Sequence, residues 1–496
     1  MANKYFISNT GNDQNSGLSE KEAWKTFQNI QHKNLSPGDQ ILLKRGDQFK
    51  GPLKLSTQGT ASHPIPISAY SKGNDPVITG VDQITEFENY KNGYTVTYPQ
   101  KVKGMFINND WLNIARYPSN GFFAIDDGDK TKLIDRELLL NPVDCTGADI
   151  RIRAVNWQYE IARVAHHDKD TLHFENKMIY QCDKDYGYFL DNKLDFLTEP
   201  GEWFYSDKEN QLFFLDIDNQ PIEQKKVEVV VEDFGIDLID CQYINISNIC
   251  FSKLQIAGIN SSTKSDNITI NSCEFTNIHR DGINLESGNT NFKITHNNFS
   301  NIKGRGIALL DAEDCLIEHN TIDHIGLYPG YGFDGVNNGT AIAILKTELI
   351  YEITTDIMND LKVELPDDVQ KSLEQLVQMP FADEKFLITA LEEVLEESKQ
   401  KYIPVIVEKV KSNLSEFKYD SIRNTVSHNR IEEVGLHGIR LDGKSCLCEF
   451  NIVRNSLLFM NDGGAIYSWA QNYDYSKDSI IRKNIVINAK GNVIAT

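Results

Sequence analysis

A short phrase recurs down the second half of the chain and constrains its fold more than any other feature. An aliphatic residue leads, Asn most often follows three places on, and a branched or aromatic residue sits two beyond that. Ile294, Asn297 and Phe299 make one copy, and Ile317, Asn320 and Ile322 the next. Val426, Asn429 and Ile431 continue it, then Cys448, Asn451 and Val453, then Ile481, Asn484 and Val486. Upstream, Ile246, Ile249 and Phe251, and Ile270, Cys273 and Phe275, keep the spacing without Asn. The first four copies recur at about 23–24 residues. That period, with β-branched alternation, predicts a solenoid of strands and not separate hairpins. A single turn cannot bury its own apolar face, whereas stacked turns bury a continuous one. The repeated Asn suits a ladder at a tight corner, its amide bonding the rungs above and below.

About nine residues after the ladder position comes a Gly column: Gly258, Gly282, Gly306 and Gly438. Glycine there predicts a corner needing positive φ or close backbone approach. The residue before it varies, as Ala257, Asp281, Arg305 and His437. Such variety suits a groove lining, and equally a solvated turn.

Bulk properties exclude some functions. The net charge of −21 argues against nucleic acid as the main partner, because neutralising phosphates needs a basic footprint. It argues less against an acidic polysaccharide, which a local basic groove can still bind. No apolar run reaches the roughly 18–20 residues of a membrane span. Eight cysteines in 496 residues make no disulfide framework, and Cys250 and Cys273 are expected as core thiols. Cys446 and Cys448 lack a second pair at zinc-ligand spacing.

Four regions are expected. Residues 1–80 read as a cap and first turns, with a helical stretch at 19–34 opened by a capping box at Ser19 and Glu22. Residues 81–225 break the period and alternate as half-buried strands, predicting a β-rich subdomain. Rungs are expected over 226–345 and 421–496. Between them, 346–420 changes to helical spacing, as in Ile350, Ile353, Ile357 and Leu361. From Gly339 to Asn429 is 90 residues where 13–15 is usual, so about 75 are inserted into one turn as an α-helical bundle.

With its N-terminal blocks at 5–13, 23–26, 37–47, 64–70 and 76–80, this repeat resembles the right-handed parallel β-helix, or pectin-lyase-like, proteins. Further stretches at 115–118, 200–205, 212–215 and 461–467 are similar to a subset, the β-helix glycoside hydrolases of the α-L-fucosidase and xylanase type. The resemblance covers most of 5–345 and 421–496. It implies an all-β parallel β-helix and a glycosidase acting on a plant or microbial polysaccharide, without fixing the glycan. Enzymes of this kind are usually exported, which favours a secreted or periplasmic protein, although no signal peptide precedes Tyr5. The last rung looks unfinished at Thr496, so further rungs are expected in full-length relatives.

Ladder arithmetic locates long loops beside the Gly column. The step is 19 residues from Asn320 to Gly339, 13 from Asn451 to Gly464 and 20 from Gly464 to Asn484. Their aromatic, Asn and Asp content suits sugars, with rings stacking on pyranose faces and carboxylates bonding hydroxyls. Glycoside hydrolysis needs two carboxyl groups, about 5–5.5 Å apart for retention or about 6.5–9.5 Å for inversion. Rungs stack at about 4.8 Å, so carboxyl groups one or two rungs apart span these ranges. Asp462 is the leading catalytic candidate, Asp334 its favoured partner and Asp442 the reserve. Each is followed by Gly, a common turn dipeptide. Arg305, His437, Tyr331, Tyr467, Trp469 and Asp281 are expected to line the sugar subsites. No cofactor is expected in a hydrolase.

Two other readings stay open. A polysaccharide lyase would act on uronates by β-elimination, with Arg280, Arg305, Arg440 or His437 at the site and Ca²⁺ on Asp311, Glu313 and Asp314. A carbohydrate-binding or adhesin solenoid would show the aromatic groove without a working carboxylate pair. In all three the partner is a polysaccharide or oligosaccharide, and the oligomeric state is open.

Overall fold

The computed structural model describes residues 2–140, 143–218, 220–328, 338–347, 351–377, 380–381, 384–413, 420–469 and 476–491. Three parallel sheets run the length of a solenoid. In a typical rung the first sheet receives Asp266–Asn271, the second Glu274–Ile278 and the third Asp281–Leu285. The next rung repeats the order with Lys293–Thr295, Asn298–Ile302 and Arg305–Leu310. Register is constant across rungs. Ile270 pairs with Ile294, Phe275 with Phe299 and Ile283 with Ile307. These residues point inward and are essentially inaccessible, so the rungs share one core. Phe251, Phe275 and Phe299 stack within it at 5.0 and 4.6 Å between ring centroids.

The Asn ladder forms as the spacing predicts. The Asn297 N–H donates to Asn320 Oδ1 at 2.9 Å, and the Asn320 N–H to Asn429 Oδ1 at 3.0 Å. It continues through Asn451 to Asn484. The residue before each ladder position takes the left-handed conformation, with φ of 55° at His296, 56° at His319 and 54° at His428. Side-chain amides therefore satisfy backbone groups that the sharp corner removes from the sheets.

Positive φ falls at this corner and not at the Gly column. Gly258 and Gly282 are needed for close approach, since an added Cβ would lie 2.5 Å from the Phe275 ring or 2.6 Å from the Phe299 ring. The column also shifts from its expected members. Gly306 donates to the Thr340 carbonyl and Ile307 to that of Ala341, so Ala341, not Gly339, holds the column position. Two rungs beyond Ala341, Ile439 pairs with Ile466, which puts Ala465 in the column and not Gly464.

At the N-terminus, Lys4–Ile7, Gln40–Lys44 and Ile65–Tyr70 begin the first sheet. The expected helix at 19–34 is two short pieces, Glu20–Glu22 and Gln28–Gln31. Ser19 Oγ caps the Glu22 N–H, but the Glu22 carboxylate turns to Ser16 Oγ, so only half of a capping box forms. Strands from Val81–Ile84 to Val227–Val230, paired antiparallel except for Asn113–Ile114 on Glu202–Ser206, build a separate layer with its own apolar clusters. Val227–Val230 pairs with Val81–Ile84, which carries the layer a few residues past 225. Helices Thr355–Leu361, Asp367–Leu373, Glu384–Val394 and Ile403–Asn413 enclose another separate core. The rungs on either side close over them. Leu316 pairs with Thr425, and Lys346 Nζ lies 2.9 Å from Asp420.

Candidate functional site

The outer face of the third sheet holds the candidate site. Its outward-facing positions are in register from rung to rung as Asp237, Asn260, Asn284, Ala308, Ala343, Arg440 and Tyr467. The first three form a polar ladder, with Asn260 donating to Asp237 at 2.8 Å and Asn284 to Asn260 at 2.9 Å. Ala308 and Ala343 then sink the floor, because their side chains stop at one carbon. Arg440 and Tyr467 raise it again.

The antiparallel N-terminal layer walls one side. Arg153 Nη2 donates to Asn461 Oδ1 at 2.7 Å, and Arg116 Nη1 to Tyr328 Oη at 3.2 Å. Lys303 Nζ sits 3.8 Å from the centroid of the Trp111 ring. Tyr159 packs in one apolar cluster with Leu436, Leu457 and Met460.

Two stations result. The first is a cavity of about 420 Å³ over the lowered floor, lined by Arg280, Asn284, Glu286, Arg305, Ala308 and Asn338 among others. Asp281, expected to contact sugar, has no exposed surface. Its carboxylate accepts Arg305 Nε at 2.8 Å and Arg305 Nη2 at 2.7 Å, with Arg280 Nε at 2.7 Å. Burial pushes this carboxyl up, but the two guanidinium groups outweigh that and hold it below the usual range. Asp281 therefore positions the arginines and does not reach a ligand itself.

The second station lies on the last two rungs of the third sheet and gathers His437, Arg440, Asp442, Asp462, Tyr467 and Trp469. Tyr467 lies flat on His437, with centroids 4.4 Å apart and planes at 5°. Arg440 sits 5.1 Å from the Tyr467 ring centroid. His437 is buried, so it supports Tyr467 from beneath and does not line the subsite as expected. Its Nδ1 meets the Gly464 carbonyl at 3.1 Å, which requires that nitrogen to carry the proton. Burial lowers the His437 pKa to about 4, the Arg440 charge adding to the effect, so the ring is neutral near pH 7.

Asp442, the reserve carboxylate, is engaged on both oxygens. Oδ2 accepts Arg440 Nε at 2.6 Å and Oδ1 accepts the Trp469 backbone N–H at 3.0 Å. Its side chain is 8% exposed, and burial raises its pKa. It is placed to hold Arg440 and the Trp469 backbone, not to meet a substrate. Asp462 differs: it is exposed and close enough to Tyr467 to raise the phenol's pKa, after the larger effect of burial. Gly463 packs against the His437 ring, where an added Cβ would lie 2.2 Å from Cε1. Trp469 is 41% exposed. Asp334 and Tyr331 lie outside the described residues.

The calcium ligands expected in the lyase reading serve the scaffold. Arg423 takes Asp314 at 2.6 Å and Glu313 at 3.3 Å, while Asp311 accepts Ser287 Oγ and Thr347. Among the described residues, Glu318, His319 and His428 could together hold a metal ion. They belong to the ladder corner, where His296, His319, His428 and Phe450 stack ring on ring.

Asn284, Glu286 and the Ala308–Ala343 floor were not among the expected site residues. For Asn284 and the alanine floor the signal was available, since each of these outward positions falls three residues after the variable residue of its rung; Glu286, five after Asp281, has no such mark.

Residues 162–346 match the family described as right handed beta helix region. Lacto-N-biosidase of Bifidobacterium longum subsp. longum is 32% identical over 154 residues, covering 26% of this chain and 10% of that protein. The chain thus spans about a tenth of the length of this curated relative. A solved structure described as a glycoside hydrolase aligns with TM-score 0.64 at 12% identity, over 99% of this chain and 98% of its own. A complex of XylC with xylose aligns at TM-score 0.46 and 12% identity, over 98% and 66% of the two chains. The chain folds as a right-handed parallel β-helix, similar over part of its length to a lacto-N-biosidase and in fold to a solved glycoside hydrolase.

Proposed function

We propose that the chain is a glycoside hydrolase cleaving glycosidic bonds in a plant or microbial polysaccharide, or in an oligosaccharide derived from one, along the outer face of the third sheet. One observation carries this reading: exposed Asp462 is close enough to Tyr467 to act on its phenol, Tyr467 stacks on His437, and Trp469 is exposed two residues further on. An ionisable carboxyl next to aromatic faces suits a pyranose ring with its glycosidic oxygen in reach. The lacto-N-biosidase relationship supports the same reaction class.

In this reading Asp462 is one of the two carboxyl groups and Asp334 the other. Asp442 is a positioning residue that orients Arg440 and the Trp469 backbone. Tyr467 and Trp469 supply stacking surface, and buried Arg440 supports the Tyr467 ring. The expected home is extracellular or periplasmic, and no cofactor is needed.

The test is a glycan panel scored for reducing ends and for the absorbance of unsaturated uronates. Reducing ends without that absorbance support hydrolysis, and both together would replace it with elimination. Asp462→Asn keeps shape and loses the ionisable group. It should lower turnover at least about 100-fold while sparing binding. Near-normal turnover would reduce Asp462 to a turn residue.

A further inference from the structure

The stretch that carries Asp462 leaves the solenoid at one residue and is caught there by the N-terminal layer. The backbone N–H groups of Leu457, Leu458, Phe459 and Met460 donate to the Leu436, Val434 and Gly435 carbonyls of the preceding rung. At Asn461 the bonding crosses between layers. Its N–H donates to the Asn156 carbonyl at 3.3 Å, and its Oδ1 accepts Arg153 Nη2 at 2.7 Å. The chain rejoins the solenoid at Gly464 and Ala465, whose carbonyls meet His437 Nδ1 at 3.1 Å and the Ile439 N–H at 2.9 Å. Asp462 lies exposed between these anchors, and two glycines follow it. Its carboxylate is therefore aimed by the backbone on either side, and Gly463 and Gly464 have no side chain with which to hold that backbone.

Both Asn461 partners come from one hairpin, Asp149–Val155 against Gln158–Asp168. The same hairpin places Tyr159 in an apolar cluster with Leu436, Leu457 and Met460. Its pairing shifts between Ile152 and Val155, the interval that holds Arg153. Irregularities of this kind bend a strand and re-aim a side chain, and they recur beside active sites. Arg153 is 2% exposed, and its Nε has no hydrogen-bond partner among the described residues. Burying a guanidinium is costly unless its hydrogen bonds are made. A contact between two layers does not require one, because a neutral donor makes the same contact with less desolvation. A charged donor makes a shorter and stronger bond, and here that bond falls on the residue before Asp462.

We infer that Arg153 is a positioning residue for Asp462, acting through Asn461, so that the N-terminal layer belongs to the hydrolytic site and is not only its wall. The inference rests on the reading of Asp462 as one carboxyl of a glycoside hydrolase. It assigns the layer a task in that reaction: the turn is fixed before substrate arrives, where a displacement of about 1 Å costs on the order of 100-fold in rate.

Amide hydrogen exchange on the full chain tests the latch without any substrate. Arg153→Met keeps most of the side-chain length and removes the charge and the donors. Exchange over residues 461–465 should speed at least about 10-fold, as for the loss of a bond to a charged group, while both cores keep their protection. Arg153→Lys should restore part of it. Asn461→Ala removes the same bond from a half-buried turn and serves if Arg153→Met does not fold; the double variant should be no worse than the weaker single one. Turnover of the glycan selected by the panel tests the consequence. Arg153→Met should lower kcat at least about 10-fold with KM within about 3-fold, and should change the residual turnover of Asp462→Asn by less than about 2-fold. Unchanged exchange over 461–465, a loss carried by KM alone, or an equal loss of turnover in the Asp462→Asn background overturns the inference. Its failure is separable from that of the hydrolase reading. Cleavage that depends on Asp462 but not on Arg153 removes only the positioning role. Faster exchange in Arg153→Met, with no glycan cleaved by the unsubstituted chain, removes the hydrolase and keeps the latch.

Discussion

Two columns of the same rungs behave in opposite ways. At the corner between the first and second sheets, Asn repeats and makes the same bond at 2.9–3.0 Å each time, even where partners are 109 residues apart in the chain. On the outer face of the third sheet, the side chain changes from Asp to Asn to Ala to Arg to Tyr along the same stack. The ladder corner answers a demand that every rung shares, backbone groups left unpaired by a sharp turn. The outer face has no such shared demand, so its chemistry is available for a ligand. A solenoid thus divides its labour by column.

The largest expected effect lies inside. Phe275→Ala empties a slot between two stacked rings and should cost about 3–5 kcal/mol in denaturant unfolding. A loss below about 1 kcal/mol would mean that the rungs do not share a cooperative core. Next comes the ladder. Asn320→Ala leaves the buried Asn297 N–H without its acceptor and should cost about 2 kcal/mol. Glycan binding by the folded fraction should be unchanged. Weaker binding per folded molecule would blur the division between corner and face.

His437 tests the face through pH. Its folded pKa of about 4 lies below an ordinary value of 6.5. Its contribution is therefore complete above pH 6.5 and is lost as pH falls through 4. Between pH 7.5 and 5 the chain should lose about 2 kcal/mol more than a His437→Phe variant, which keeps a ring under Tyr467. Equal losses in urea titrations of the two would show that the ring is not buried neutral.

The smallest effect is expected from the largest change. Replacing residues 348–419 by a short Gly/Ser linker removes the helical core, which shares no residue with the solenoid core. The segment's flanks already meet at Lys346 and Asp420, so the remaining chain should keep its unfolding free energy to within about 1 kcal/mol. Loss of the cooperative transition would make the helices part of the core.

What the sequence determined by itself was periodic. The rung spacing, the Asn ladder across residues 297–484 and the switch to helical spacing after 350 could be read in one dimension, because each depends on a residue's own rung and those next to it. What only the tertiary structure decided came from residues meeting at long range. Ala341 and Ala465 displaced Gly339 and Gly464 from the column because loops of unequal length feed strands whose register is set by neighbouring rungs. Asp281 and Asp442 became buried partners of arginines, a change of role that no spacing announces. Tyr467 found its support in His437, and Asn461 its partner in Arg153, 308 residues earlier. A repeat writes its own pairing into the chain. Burial and charge pairing on the groove face depend on which loops and which distant layer cover that face, and these are resolved only when the chain is folded.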